Sequence, residues 1–341
     1  MNRKSLYFTE PETIEIREET LNQPGRDQLL VETQSTAISP GSELLLYQGN
    51  IPADMPQDPI LETYSGTFEY PLKYGYACLG KVVDVGRTVA PTWIGKTVFA
   101  FHPHESHFLA TEAEIIPVPD DIDPEDALFI PNMETAISFV MDGQPMVGES
   151  VAIVGQGIVG LLTTALLRQF PLEQIVTFDL HQNRRETSED LGASKSLNPK
   201  EKNFQNKYKT LFSREGKFAG ADLIFELSGS PEALNLAMQL AGFESRLVVG
   251  SWYGSKTAEI NLGESFHRNH LQIISSQVSR IASQFAGRWT KTRRFEVVQQ
   301  MLRQIKPSQL ITHRVAFEDA DEAFELLSQK PDEAIQVVLE Y

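Results

Sequence analysis

Residues 155–160 read Gly-Gln-Gly-Ile-Val-Gly, and their surroundings matter as much as the glycines. An apolar run at 151–154 precedes them, 161–170 continues with helical spacing, and 175–179 returns as a second strand ending on an acid. A strand, a tight turn, a helix and a strand in that order make half of a dinucleotide-binding unit. Gly155 permits the turn, Gly157 lets backbone N–H groups approach a pyrophosphate, and Gly160 lets the helix lie close to the sheet. Gln156, Ile158 and Val159 share that loop, where the helix N-terminus supplies partial positive charge. Asp179 lies about 20 residues beyond, where a carboxylate accepts from both ribose hydroxyls and repels a 2′-phosphate. The spacing predicts NAD(H) rather than NADP(H). Arg184 follows and can lie against the adenine, although an arginine beside the ribose is also what admits NADP(H). A lone GxGxxG is often only a glycine-rich turn; the flanking strand, helix and acid separate this one from that case.

Ser228-Gly229 and Gly250-Ser251 end two further apolar runs, 221–227 and 246–250, at the carboxyl edge where nucleotides bind. With a helix at 231–240 between them and another strand at 271–276, the alternation predicts an α/β doubly wound parallel sheet covered on both faces, a Rossmann unit. The chain before it reads as β-rich, with strands at 5–8, 13–17, 28–36, 80–85 and 94–100 separated by turns such as Ser39-Pro40-Gly41. From Asp123 the texture becomes helical: Pro124 opens one helix, and 134–141 forms another for which Asn132 is a suitable cap. Helices at 292–304 and 320–328 and a strand at 335–339 close the chain. The order predicts three segments, 1–131, 132–280 and 281–341, the last returning to the first domain, with the active site in the cleft between domains.

Composition narrows the partners. A net charge of −16 over 341 residues argues against nucleic acid or an anionic membrane as the main partner, leaving a small-molecule substrate. No stretch reaches the ~18 apolar residues of a membrane span, and no apolar core follows the basic pair Arg3-Lys4, so a cytoplasmic enzyme is expected. The single cysteine, Cys78, excludes an internal disulfide and a cysteine-rich zinc site.

Further landmarks are Ala37-Ile-Ser-Pro-Gly-Ser-Glu43 with Tyr47-Gln-Gly49, Tyr74-Gly-Tyr-Ala-Cys-Leu-Gly-Lys-Val82, Gly95-Lys-Thr-Val98, Leu191-Gly-Ala193 and Leu310-Ile-Thr-His313. In this order they resemble the medium-chain dehydrogenase/reductase superfamily, which includes the alcohol dehydrogenases. Within it the chain resembles zinc-type alcohol dehydrogenases and the enzyme that oxidises the hydroxyethyl group of bacteriochlorophyllide. The resemblance implies a β-rich GroES-like catalytic domain beside the Rossmann domain. It also implies a homodimer paired through an edge strand, here 271–278.

The departures from that family carry the chemistry. Its zinc-dependent members supply a thiolate near Ser39–Pro40, a histidine where this chain has Tyr76, and often a glutamate where it has Ala77. Around Ile130-Pro-Asn132, where a third ligand sits, the matching positions hold no Cys, Asp, Glu or His; Glu134, nearby, would be an unusual substitute. A catalytic zinc needs about three protein ligands, so a zinc-free site is expected. Hydrogen-bond donors must then stabilise the substrate oxygen. By the resemblance Tyr76 points into the cleft, Ser42 matches the hydroxyl that relays a proton, and Glu43 matches a supporting acid; Tyr76 can equally be a packing aromatic. Thr135 should lie beside the nicotinamide. His102-Pro-His104-Glu-Ser-His107 offers a metal site, a pocket histidine (His102 or His104) suited to proton transfer, or surface histidines. Arg280, Arg288, Trp289, Arg293 and Arg294 read as a basic aromatic patch, a solvated face or a contact for an anionic substrate. The leading expectation is a zinc-independent NAD(H)-dependent oxidoreductase interconverting an alcohol and a carbonyl. The alternatives are an NAD(P)H-dependent enoyl or quinone reductase and a non-catalytic dinucleotide-binding protein.

Overall fold

Strands with one polar and one apolar face build the first unit, Met1–Pro131 with Leu302–Tyr341, in a computed structural model that describes residues 1–57 and 66–341. β1 (Asn2–Glu10) and β2 (Thr13–Thr20) form an antiparallel hairpin. β3 (Gln28–Ala37), α1 (Pro40–Tyr47), β4 (Cys78–Val85), β5 (Thr97–Ala100), β6 (His107–Thr111), β7 (Ile115–Pro117) and α2 (Pro124–Ala127) follow. In β3, Leu29 and Val31 turn inward beside Cys78, Val82, Val98 and Phe108, while Glu32 and Gln34 stay exposed. This is the period-two pattern of a half-buried strand.

The second unit, Asn132–Met301, begins within α3 (Ile130–Gly143). It continues as β8 (Ser150–Val154), α4 (Ile158–Leu167), β9 (Gln174–Phe178), α5 (Gln182–Asp190), β10 (Lys195–Leu197) and α6 (Phe204–Leu211). A small hairpin, β11 (Ser213–Arg214) with β12 (Lys217–Phe218), leads to β13 (Ala221–Glu226), α7 (Ala233–Leu240), β14 (Ala241–Val249), β15 (Gln272–Ser275) and α8 (Lys291–Ile305). Six strands pair in parallel in the order β10-β9-β8-β13-β14-β15. Renumbered from β8, this is 3-2-1-4-5-6, the Rossmann order. The strands are apolar on both faces because both faces are covered. Val151, Ile153, Leu223 and Phe225 join one core, and Ala152, Val154, Ile224 and Leu247 join the other.

After α8 the chain rejoins the first unit as β16 (Ile311–Ala316), α9 (Ala320–Gln329) and β17 (Gln336–Glu340). β17 pairs parallel to β16 and antiparallel to β3, with Val338 opposite Ala37, and so extends that sheet to the order β16-β17-β3-β4-β5-β7, β6 also pairing with β3. Among the described residues no helix is long and apolar enough to cross a membrane.

Two local readings change and one helix is added. Ser39-Pro40-Gly41 is not a free turn but the start of α1: Pro40 sits in the first turn, where its missing N–H is not needed, and Leu45, Leu46 and Tyr47 are buried. Asn132 does not cap α3, which already starts at Ile130. α5 carries no apolar stripe, only Ser188 being buried, so periodicity could not reveal it.

Arg294 also leaves the expected surface patch. It is 1% exposed, donating to Glu134 Oε1 at 2.6 and 3.0 Å, to Ser138 Oγ at 2.9 Å and to the Val278 carbonyl at 2.7 Å. Burial pushes the Glu134 carboxyl up against the pull of Arg294. Arg280, Arg288 and Arg293 remain exposed, Arg293 stacked 4.2 Å over Trp289. Arg294→Leu alone should lower stability by about 3–5 kcal/mol, since it strands a buried acid. Glu134→Leu added to Arg294→Leu should recover most of that loss in chemical denaturation; equal losses for single and double variants would show that the pair is not the cause.

Candidate active site and coenzyme site

In the second unit the glycine loop leaves β8 at the sheet's carboxyl edge. Gly155 has φ +95°, and a Cβ there would stand 2.6 Å from the backbone of Leu227 and Ser228. Gly160 approaches the Gly155 carbonyl so closely that a Cβ would meet it at 2.1 Å. Gly157, by contrast, faces open space. This is the division of labour the fingerprint requires, with free room at the glycine where phosphate must approach. Gln156 is fully buried, its amide bonding the Gly155 carbonyl and accepting from Thr164. Ile158 and Val159 open α4, with Gly157 at its N-cap.

Asp179 stands just beyond β9, 8% exposed. Its Oδ2 accepts from the Gln156 N–H at 2.7 Å and its Oδ1 from the His181 N–H at 2.8 Å. The acid thus shapes the loop while leaving lone pairs for further donors. Arg184 lies in the first turn of α5, and Arg185 donates to the carbonyls of Asp179 and Leu180. Thr135 is half-buried on α3.

At the ends of β13 and β14, Ser228, Gly229, Gly250 and Ser251 cluster around a residue the sequence reading passed over. Glu226 is fully buried; its Oε1 accepts from the Ser228 N–H at 2.9 Å and hydroxyl at 2.5 Å, its Oε2 from the Tyr253 hydroxyl at 2.5 Å. Burial and the Glu226 charge push the Tyr253 phenol far up. Ser251 Oγ receives the Gly229 N–H at 2.9 Å, and Gly250 abuts Phe139. The available signal was an acid ending an otherwise apolar strand.

In the first unit the Tyr76 hydroxyl lies 2.8 Å from Ser42 Oγ, which is 3.5 Å from the Ser39 carbonyl. Burial, then the nearby Glu43 charge, pushes the Tyr76 phenol up to about 12. It therefore stays protonated, a donor rather than a base, throughout neutral and moderately alkaline pH. Glu43 is fully buried on α1, bonding the Ser39 N–H and His104 at 2.8 Å each.

The three histidines part company. His104 is fully buried, so a substrate cannot reach it. His102 stacks on Phe108 at 3.9 Å, with Nε2 2.8 Å from Glu105. Glu105, 1% exposed, also takes Arg3 at 2.8 Å, Lys73 at 2.5 Å and Ser5 at 3.0 Å. Burial opposes its ionisation, but His102 and Lys73 together hold it near 2. His107 is half-buried beside Ser106 and Glu32. Among the described residues no three His, Cys, Asp or Glu side chains gather where a metal ion would fit. The positions that the resemblance matches to zinc ligands hold hydroxyls, apolar side chains and the Asn132 amide, which do not match zinc's preference for thiolate, imidazole and carboxylate.

The second unit has the strand order and glycine loop of a dinucleotide-binding Rossmann fold, and the first unit is β-rich. Residues 159–293 match the family model described as zinc-binding dehydrogenase. D-guloside 3-dehydrogenase of Escherichia coli (strain K12) is 23% identical over 269 residues, covering 77% of this chain and 76% of its own. A structure described as a short chain alcohol dehydrogenase of E. coli CFT073, complexed with NADH, superposes with a TM-score of 0.78 at 18% identity, over 100% of this chain and 99% of its own. A Sinorhizobium meliloti 1021 structure of the zinc-binding dehydrogenase type, bound to NADP, gives 0.76 at 18% identity over 100% of both chains. The chain is thus similar, in part of its sequence and across its fold, to dehydrogenases of the zinc-binding and alcohol dehydrogenase type, and two of those neighbouring structures hold a nicotinamide dinucleotide.

Asp179→Ala removes the acceptor for two loop N–H groups. It should weaken NADH binding, followed by fluorescence, at least about tenfold, since one charge-assisted hydrogen bond is worth about 1.5–3 kcal/mol. Unchanged affinity would show that Asp179 does not serve the coenzyme.

Proposed function

We propose that the protein is an NAD(H)-dependent oxidoreductase that interconverts a secondary alcohol and a ketone without zinc. Tyr76 would bind the substrate oxygen. The observation that carries this reading is the Tyr76–Ser42 hydroxyl pair standing where zinc-type relatives are expected to have a histidine ligand. When bound, the nicotinamide ring supplies or accepts the hydride. The protein's part is to manage charge on the substrate oxygen. In the alcohol direction, a substrate hydroxyl donates to Tyr76, Tyr76 to Ser42, and Ser42 to the Ser39 carbonyl. In the carbonyl direction the two hydroxyls rotate, so that Ser42 donates to Tyr76 and Tyr76 to the substrate. Oxidation releases the hydroxyl proton to solvent water as the hydride leaves, and reduction draws one proton from solvent water; Tyr76 is un-ionised at the start and end of both, in keeping with its weakened acidity. His102, held by Glu105, is an alternative proton donor.

Asp179 supports NAD(H) over NADP(H) because its carboxylate would repel a 2′-phosphate. The relative named D-guloside 3-dehydrogenase favours secondary alcohols in the substrate panel. The NADP-bound neighbour gives weight to a second reading, reduction of an activated C=C bond or quinone with NADPH. A panel of secondary alcohols, enones and quinones, run with each coenzyme, separates the two. The expected outcome is alcohol turnover with NAD+, substoichiometric zinc by metal analysis, and turnover unaffected by chelator. Tyr76→Phe should lower kcat by about 10²–10³-fold, the usual effect of deleting one donor to a developing oxyanion. Stoichiometric catalytic zinc or an unaffected Tyr76→Phe enzyme would overturn the reading.

A homodimer is proposed through β15, which ends the six-stranded sheet. Gln272, Ile273 and Ser275 are exposed there, and an open strand edge is a template for pairing. Light scattering should report two chains, and Ile273→Lys should shift the species toward one; a wild-type monomer would refute the dimer.

A further inference from the structure

We infer that His104 is a positioning residue for the Tyr76–Ser42 pair, bracing both chain segments that carry it. This rests on the proposal that Tyr76 binds the substrate oxygen, and it concerns a histidine that no substrate can touch. Its Nε2 lies 2.8 Å from Glu43 Oε2 and its Nδ1 2.7 Å from Thr36 Oγ1. All three side chains are fully buried. The Thr36 hydroxyl lies 3.4 Å from that of Tyr341, and the imidazole meets the Phe324 ring edge-on at 6.5 Å.

The brace acts first through Glu43. Its Oε1 accepts from the Ser39 N–H at the start of α1, as the acid of a capping box does. This closes the turn that carries Ser42, the residue beside Glu43. A carboxylate this deeply buried is tolerated only with donors on its oxygens, and His104 meets the one that Ser39 does not.

The second contact is steric. The His104 ring lies over Gly75, where a Cβ would come within 2.7 Å of both Cδ2 and Nε2. Gly75 has φ +130°, a conformation L side chains rarely adopt, and the next residue is Tyr76. One imidazole therefore holds the turn behind Ser42 by a charge-assisted hydrogen bond and the backbone behind Tyr76 by contact.

The test uses the full chain labelled with [13Cζ]tyrosine, the Tyr76 resonance being assigned by its loss in Tyr76→Phe. Ser42→Ala breaks the hydroxyl pair and sets the reference shift. His104→Gln, Glu43→Gln and Gly75→Ala should each move the Tyr76 resonance in that same direction, and adding Ser42→Ala to any of them should move it little further. With the best alcohol from the substrate panel, His104→Gln should lower kcat by about 10–100-fold, as loss of a supporting partner typically does. It should leave KM nearly unchanged and have no further effect in a Tyr76→Phe background. Should His104→Gln not fold, Gly75→Ala and Glu43→Gln read the same brace from its other two sides. A Tyr76 resonance left at its wild-type position in the folded variants would overturn the inference. A moved resonance with Tyr76→Phe turnover unchanged would instead uphold the brace and remove the catalytic reading of Tyr76.

Discussion

A carboxylate withdrawn from water must find donors for its oxygens within the protein, and this requirement organises each region where chemistry is placed. Asp179, Glu226, Glu43, Glu105 and Glu134 are all at most 8% exposed. Each is met on its oxygens by backbone N–H groups, hydroxyls, imidazole or guanidinium. An unmet charge at such depth would cost several kcal/mol, so these groups cannot be incidental. They act as fixed points to which loops are tied: Asp179 to the glycine turn, Glu226 to the ends of two parallel strands, Glu43 to the start of α1.

The two units use this device differently. In the second unit Asp179 and Glu226 set backbone at the carboxyl edge, where the parallel strands end and α4 presents its N-terminus, while Glu134 holds Arg294. Small side chains at such an edge leave amides and a helix end open to a phosphate. In the first unit the acids hold other side chains. Glu105 gathers His102, Lys73 and Arg3, and Glu43 holds His104. The result in that unit is a buried, hydrogen-bonded layer beside one hydroxyl pair. Dipoles already in place need no rearrangement when charge develops beside them.

The histidine that zinc-type relatives are expected to place at position 76 has no counterpart there, yet an imidazole–carboxylate pair persists one layer deeper. Glu43 bonds the Ser39 N–H and His104, a residue of the 102–107 segment rather than of the segment containing Tyr76.

Much of the fold was legible in the sequence because its elements obey short-range rules. The strand 151–154, the glycine turn, the acid after β9 and the apolar strands at 221–226 and 246–249 read correctly, since period and turn chemistry are written in neighbouring residues. The Tyr76–Ser42 proximity could be anticipated only by resemblance. Other features lay outside any local pattern. α5 has no apolar stripe, α1 begins in residues that read as a turn, and Arg294 looks like a surface cation until Glu134, 160 positions away, neutralises it. Glu226 looked like one more strand residue, and His104 like one of three loop histidines. Sequence determines which groups can bond and which local conformations are cheap. Burial decides which groups must bond, and with whom, and burial exists only once distant segments have come together.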